Sequence, residues 1–333
     1  MLYIRTDMND KIATGHLMRC LSIADVAKQY GEDTVFLLAD EQAVEILRSR
    51  GHQFIVLHTK WNDMDSELQV IENVISERKI DKILIDSYQV TENYLKRLTD
   101  RVTTFYIDDL NAFIYPVDAI ICYANYWKKF DYFSHYPDTK LFLGTQYAPL
   151  RVEFHNCSQK QIKSKAENLI LLSGGTDHYD MLDRLLQRIE KEQYRRIDVI
   201  CGTYYSKYET ICQKYSTYPN IRIHMSVMDM KDYMVQADLA VTAGGTTLYE
   251  LCAVGTPTIS YSIADNQLEN VKKFQEDGLV DYAGDIRFDD VIENINCYLK
   301  RYHENKQLRQ KRSIKMQNLV DGKGAQRIVE ILK

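Results

Sequence analysis

The sequence predicts an α/β protein made of two Rossmann-like halves in series, each a parallel sheet covered by helices. Three observations lead there. Short apolar runs alternate with longer amphipathic stretches along most of the chain, the pattern of strands buried on both faces and joined by helices. That alternation breaks once, between residues 124 and 165. The 333 residues also exceed what one hydrophobic core usually holds.

In the first half the strand candidates are LYIRT (2–6), TVFLLA (34–39), FIVLH (54–58), KILID (82–86), TFYID (104–108) and AIICY (119–123). Helical spacing fills 16–30, 41–50, 64–79 and 91–100, with Leu17, Leu21, Ile23, Ala24 and Ala27 marking the apolar face of the first. The interruption contains NYWKKFDYFSHYP (125–137), too aromatic for a plain linker, then YAPLRVEF (147–154) and the polar run HNCSQKQIKSKAEN (155–168). It places a boundary between domains 1–152 and 153–333. Strands resume with LILLSG (169–174), IDVICG (197–202), IRIHM (221–225), LAVTAG (239–244) and TPTISYS (256–262). The tail from about 303 reads as one or two charged helices, the last expected to pack back on the first domain. Ligands of such sheets bind at the carboxyl ends of the strands, so the cleft between the halves is the expected site.

Composition narrows the function. A net charge of −5 argues against a nucleic-acid partner, which needs a basic face. No apolar run approaches the eighteen or so residues of a membrane span, and Arg5 and Asp7 interrupt any signal-like start. Seven scattered cysteines, none with CxxC spacing, read as reduced thiols in a cytoplasmic protein without a zinc site.

Several turns carry small or polar residues where strands end. In TAGGTTLYELCAVGTP (242–257), Gly244 and Gly245 close a strand and Thr246 and Thr247 open a helix. Exposed N–H groups and the helix dipole there suit a phosphate. Glu250, one turn on, suits ribose hydroxyls; the plain alternative is a tight turn with a solvated glutamate. Ser173, Gly174, Gly175 and Thr176 form a second such turn, or simply a capped helix start. In ATGHLMRC (13–20), His16 follows Gly15 at a helix start, where the dipole disfavours a positive charge and favours proton acceptance. It is otherwise a packing or capping residue. Asp86, Ser87 and Tyr88 end a strand, with Tyr88 either reaching a ligand or covering the sheet edge. Asn266 and Gln267 open a helix, as sugar ligands or as caps.

Together RTDMNDKIATGHLMRCLSIA (5–24), LIDSY (84–88), LGTQYAPLRVEF (143–154), SGGTD (173–177) and TAGGTTLYELCAVGTPTISYSIADNQ (242–267) resemble the PseG/SpsG-like UDP-sugar hydrolases, relatives of MurG-type glycosyltransferases. The resemblance runs in order over most of the chain. It implies the GT-B fold, two Rossmann-like domains with parallel sheets facing a cleft. It implies metal-independent hydrolysis, without a cofactor, of UDP-2,4-diacetamido-2,4,6-trideoxy-β-L-altropyranose to UDP and free sugar with inversion, in pseudaminic acid or a related surface polysaccharide. His16 then falls on the catalytic histidine and Tyr88 on its neighbouring tyrosine, with Asp7 positioning water, histidine or sugar. UDP is assigned to Ser173, Gly174, Gly175, Gly244, Gly245, Thr246, Thr247 and Glu250. The sugar is assigned to Gly15, Arg19, Asn266 and Gln267. Ala13 stands where the family usually has glycine, Asn9 where it often has serine and Thr145 where it often has proline, all on the sugar side.

The rival readings are an inverting MurG-like glycosyltransferase, in which an acceptor hydroxyl replaces water, and a non-catalytic nucleotide-sugar binding subunit. An NAD enzyme is disfavoured because no turn has G-x-G-x-x-G. A monomer acting on a small nucleotide sugar, with no membrane insertion and no nucleic-acid partner, is expected.

Overall fold

The computed structural model describes residues 1–9, 11–227 and 229–333. The chain divides into two compact units, Met1–Val152 together with Gly322–Lys333, and Glu153–Asp321.

The first unit runs β1 (Leu2–Thr6), α1 (Gly15–Gln29), β2 (Thr34–Leu38), α2 (Val44–Ser49), β3 (Gln53–Val56), α3 (Leu68–Arg78), β4 (Lys82–Asp86), α4 (Glu92–Thr99), β5 (Thr103–Ile107), β6 (Ala119–Cys122), α5 (Tyr132–His135) and β7 (Lys140–Leu143). Its seven strands are parallel in the order β3-β2-β1-β4-β5-β6-β7. Every residue of β1 and β2 is buried, because helices cover both faces and both side-chain parities need apolar groups. One face packs Val35, Leu37, Ile83, Ile85 and Ile120 against Ile71, Ile75, Tyr94 and Leu98.

The second unit runs β8 (Asn168–Leu172), α6 (Met181–Arg188), β9 (Arg196–Cys201), α7 (Tyr208–Lys214), β10 (Ile221–Met225), α8 (Met230–Gln236), β11 (Leu239–Ala243), α9 (Thr247–Val254), β12 (Thr258–Ser262), α10 (Asp265–Glu276), β13 (Asp281–Asp285), α11 (Val291–Glu304) and α12 (Lys306–Leu319). Its parallel order is β10-β9-β8-β11-β12-β13. The final helix, α13 (Gly324–Leu332), belongs to the first unit and lies on α1. Its first residue must be glycine, since a Cβ on Gly324 would sit 2.1 Å from the Ala148 carbonyl oxygen.

Two strands lie where the sequence shows no strand pattern. β7 falls inside the supposed break at 124–165; it is four residues long, partly exposed, and stands at an edge. β13, DYAGD, is polar at both ends and occupies the equivalent edge of the second sheet. Edge strands bury less, so their sequences carry less apolar signal.

Candidate functional site

Each sheet reverses its strand order once, between β1 and β4 and between β8 and β11. These are the points where doubly wound sheets open a crevice at their carboxyl ends. In the first unit Thr6 and Asp86 are paired at the two strand ends. The chain leaving β1 is shaped by Asn9, whose Oδ1 accepts from the Lys11 and Ile12 N–H groups at 2.9 and 3.0 Å, a turn closed by a short Asn9–Ala13 bridge. Ala13 holds φ +55°, a conformation that favours glycine. Helix α1 then starts after Thr14, whose side chain makes no cap among the described residues, and has no acidic residue in its first turn. Gly15 is exposed, and a Cβ there would meet nothing within 4 Å among the described residues.

His16 stands in that first turn, 8% exposed. Its Nδ1 lies 2.7 Å from Asp86 Oδ1. Asp86 is fully buried and surrounded by donors: Arg19 Nε at 2.5 Å, Arg19 Nη2, and Cys20 Sγ at 3.3 Å. Burial raises the Asp86 pKa, but the Arg19 charge, aided by His16, outweighs it and holds the carboxyl well below the usual range. An ionised carboxylate offers no proton, so the proton in the His16–Asp86 contact sits on Nδ1. In the neutral imidazole Nε2 is then the accepting nitrogen. Arg19 Nη2 also lies 2.9 Å from Nδ1; Asp86 Oδ1 bridges these two donors.

Tyr88 packs edge-on against the imidazole, with ring centroids 4.5 Å apart. Its hydroxyl donates to Asp109 Oδ2 at 3.0 Å. Arg19 Nη1 donates to the same oxygen at 3.2 Å and to the Tyr123 hydroxyl at 2.7 Å. The guanidinium lies 6.0 Å from the Tyr88 ring centroid and 5.6 Å from that of Tyr123. Burial, then the Asp109 charge, push the Tyr88 pKa far up and keep it a phenol. A closed circuit results: His16, Asp86, Arg19, Asp109, Tyr88 and back to His16.

Of the residues the sequence singled out on this side, His16, Arg19 and Tyr88 come together. Asp7 is tied elsewhere: Arg5 Nη1 donates to its Oδ2 at 2.5 Å and the Ala39 N–H to its Oδ1 at 2.8 Å. Arg5 also makes a bidentate pair with Glu67 at 2.8 Å. Burial, more than Arg5 opposes it, raises the Asp7 pKa. The carboxylate that holds the histidine is Asp86, which the sequence placed at a strand end without a role. Its signal is a carboxylate closing the apolar run KILID. Asp109 and Tyr123 gave no sequence signal.

In the second unit the corresponding strand ends carry the glycine turns. Ser173 is buried at the end of β8 and Gly174 holds φ +84°. Gly174 and Gly175 rest on Gly202: a Cβ there would lie 2.2 and 2.4 Å from their carbonyl oxygens. The Tyr204 N–H also donates to Gly175 at 3.0 Å. Sequence reasoning gave Gly202 no part in this. Asp177 caps α6, accepting from the Met181 and Leu182 N–H groups at 2.8 and 3.0 Å.

At the end of β11, Gly244 is demanded by packing, since its Cβ would fall 2.1 Å from Val271 Cγ1. Asn270 Nδ2 donates to the Gly244 carbonyl at 3.1 Å, and Asn270 Oδ1 accepts from the Tyr249 hydroxyl at 2.8 Å. Gly245 differs: a Cβ there would meet nothing within 4 Å among the described residues, and its φ is not left-handed. Thr246 is exposed and caps nothing with its side chain, Thr247 begins α9, and Glu250 is half-buried one turn later. Gln267 Oε1 accepts from the Ile263 N–H at 3.1 Å and so closes the start of α10, while Asn266 is exposed.

Two units with Rossmann strand order, each with its turns at the switch point, decide the architecture. The fold is GT-B. Residues 169–328 match the glycosyltransferase family 28 C-terminal domain. Acinetobacter baumannii MurG has a similar structure, with a TM-score of 0.72 at 12% identity over 99% of both chains. The chain is 24% identical to the spore coat polysaccharide biosynthesis protein SpsG of Bacillus subtilis over 96% of this chain and 94% of that one. It is also 24% identical to protein MJ1062 of Methanocaldococcus jannaschii over 77% of this chain, but spans only 54% of that relative's length. Among the described residues no group of three or more His, Cys, Asp or Glu is placed to hold a metal, and no helix is long and apolar enough to cross a membrane.

Proposed function

We propose that this GT-B protein hydrolyses a UDP-linked deoxy-amino sugar, releasing UDP and the free sugar. The observation that carries this reading is the His16–Asp86 contact at 2.7 Å on an uncapped helix start. It leaves Nε2 as a fixed proton acceptor at the switch point of the first sheet. Two glycines add support. Gly15 and Gly245 sit where neither packing nor backbone conformation asks for glycine, so close approach of a ligand is the remaining reason for them.

In this reading the second unit holds UDP. The first N–H groups of α9, at Thr246 and Thr247, take the diphosphate, and Glu250 takes the ribose. The first unit supplies the base. Water attacks the anomeric carbon, His16 Nε2 takes its proton, and the bond from C1 to the UDP oxygen breaks with inversion. The departing diphosphate keeps its charge and needs no proton, because helix N–H groups and the dipole stabilise it. The likeness to SpsG, a spore coat polysaccharide biosynthesis protein, supports a place in polysaccharide biosynthesis.

The family 28 domain favours a second reading, glycosyl transfer, in which an acceptor hydroxyl loses its proton to the same nitrogen. Incubation with UDP-2,4-diacetamido-2,4,6-trideoxy-β-L-altropyranose, without acceptor, separates the two. Free sugar appearing at enzyme-dependent rates supports hydrolysis. UDP binding without sugar release in water overturns it.

A further inference from the structure

The tyrosine-rich segment that interrupts the strand–helix alternation is explained neither by the fold nor by the base assignment. Phenylalanine would fill the same volume, so the hydroxyls need a reason; a buried hydroxyl needs a partner. Three of them, Tyr126, Tyr132 and Tyr136, gather with Tyr115, from just before the segment, around the turn that leaves β5; all four are nearly fully buried, and Tyr136 acts through Tyr115. Tyr126 donates to the Asp109 carbonyl at 2.7 Å. Tyr132 donates to Asp108 Oδ2, and Tyr115 to Asp108 Oδ1 at 3.1 Å. The Tyr115 hydroxyl accepts from the Ala112 N–H at 2.8 Å, and that of Tyr136 from the Tyr115 N–H at 3.0 Å. Asp108 Oδ1 also takes the Leu110 and Asn111 N–H groups, each at 2.9 Å. Asn111 is thereby held at φ +49°. The turn is thus held at four of its N–H groups, at the Asp109 carbonyl and at both Asp108 carboxylate oxygens.

What this turn presents is Asp109. Its Oδ2 receives Tyr88 and Arg19, while its Oδ1 is buried without a hydrogen bond among the described residues. We propose that the segment 115–136 braces this turn so that Asp109 acts as a positioning residue for Tyr88. It commits the Tyr88 hydroxyl proton and leaves the phenol oxygen only as an acceptor toward a ligand. Asp109 also pulls Arg19 from the side opposite Asp86, so the brace sets the tension on both neighbours of His16. The proposal rests on the reading of His16 as the working base, but its test does not.

The test is a spectrum of protein carrying 13Cζ-labelled tyrosine, with Tyr88→Phe used to assign the Tyr88 resonance. Asp109→Asn replaces a charged acceptor by a neutral one and is expected to shift that resonance and speed exchange of the hydroxyl proton. Tyr126→Phe and Tyr132→Phe, at residues that make no hydrogen bond or ring contact with His16 or Tyr88 among the described residues, are expected to shift it in the same direction by less. Where the sugar nucleotide named above is turned over, Asp109→Asn lowers turnover up to about a hundredfold, the scale of a misplaced group, with UDP affinity unchanged. A Tyr88 signal unmoved by Asp109→Asn overturns the positioning role. A signal moved by Asp109→Asn but by neither tyrosine variant overturns the brace. A Tyr88 shift without hydrolysis in the wild type overturns the base reading and leaves the brace standing. If Asp109→Asn fails to fold, the tyrosine variants alone decide.

Discussion

Replacing Asp86 by asparagine changes one oxygen into an NH2 group in a place where every neighbour is a donor. Asp86 Oδ1 faces His16 Nδ1 at 2.7 Å and Arg19 Nη2, and Oδ2 faces Arg19 Nε at 2.5 Å and Cys20. Turned toward Arg19 Nε, the new NH2 meets a charged donor that cannot give way. Turned toward His16, it meets Arg19 Nη2 as well, but the ring nitrogen beside it can lose its proton and accept from both groups. The second arrangement costs less, and it moves the imidazole proton from Nδ1 to Nε2. The base is then blocked by its own proton. General-base assistance is worth on the order of 10²–10⁴ in rate, about 3–5 kcal/mol of barrier, and Asp86→Asn is expected to lose most of it. Arg19, left buried with a neutral partner, still has Asp109 at 3.2 Å, so the stability loss should fall near the lower end of the roughly 3–5 kcal/mol seen when a buried pair is broken. Histidine-selective 15N spectra report the tautomer, and UDP release reports the rate. Unchanged turnover in Asp86→Asn, or an Nε2–H tautomer in the wild type, refutes the argument.

Other expectations follow from single features. Ala13→Gly relieves φ +55° and is expected to raise stability by about 0.5–1 kcal/mol after the entropy cost of glycine; a lower melting temperature contradicts this. Gly202→Ala pushes a Cβ to 2.2 and 2.4 Å from Gly174 and Gly175, so UDP affinity measured by calorimetry should fall tenfold or more, about 1.4 kcal/mol, while cooperative unfolding persists. Acid unfolding should show Asp86 as well. Its folded-state pKa lies below the ordinary 3.8, so the unfolded chain takes up the proton first as pH falls. The stability this group contributes is complete above that pH and is lost as pH drops toward the folded value. The stability gap between wild type and Asp86→Asn should therefore narrow only at acid pH.

The parallel sheets were readable because their central strands are apolar on both faces, as in LYIRT and LILLSG. The edges β7 and β13 were not, for want of that same burial. In the site, His16 could be found because Thr-Gly precedes it at a helix start, and Gly244 and Gly245 because they close a strand before threonines. Asp86 and Asp109 were harder. A carboxylate at a strand end reads the same whether it meets solvent or a buried arginine. The partner that gives Asp86 its meaning lies 67 positions away, and the one that gives Asp109 its meaning 90 positions away. Asp7 illustrates the reverse: it is close to His16 in sequence, yet Arg5 and the Ala39 amide occupy its carboxylate.

The decisive comparison is His16→Ala against the wild type, with UDP affinity by calorimetry and release of free sugar from UDP-2,4-diacetamido-2,4,6-trideoxy-β-L-altropyranose by proton NMR in the absence of any acceptor. The account predicts unchanged UDP affinity and a loss of turnover on the order of 10²–10⁴. Near-full turnover in His16→Ala contradicts it.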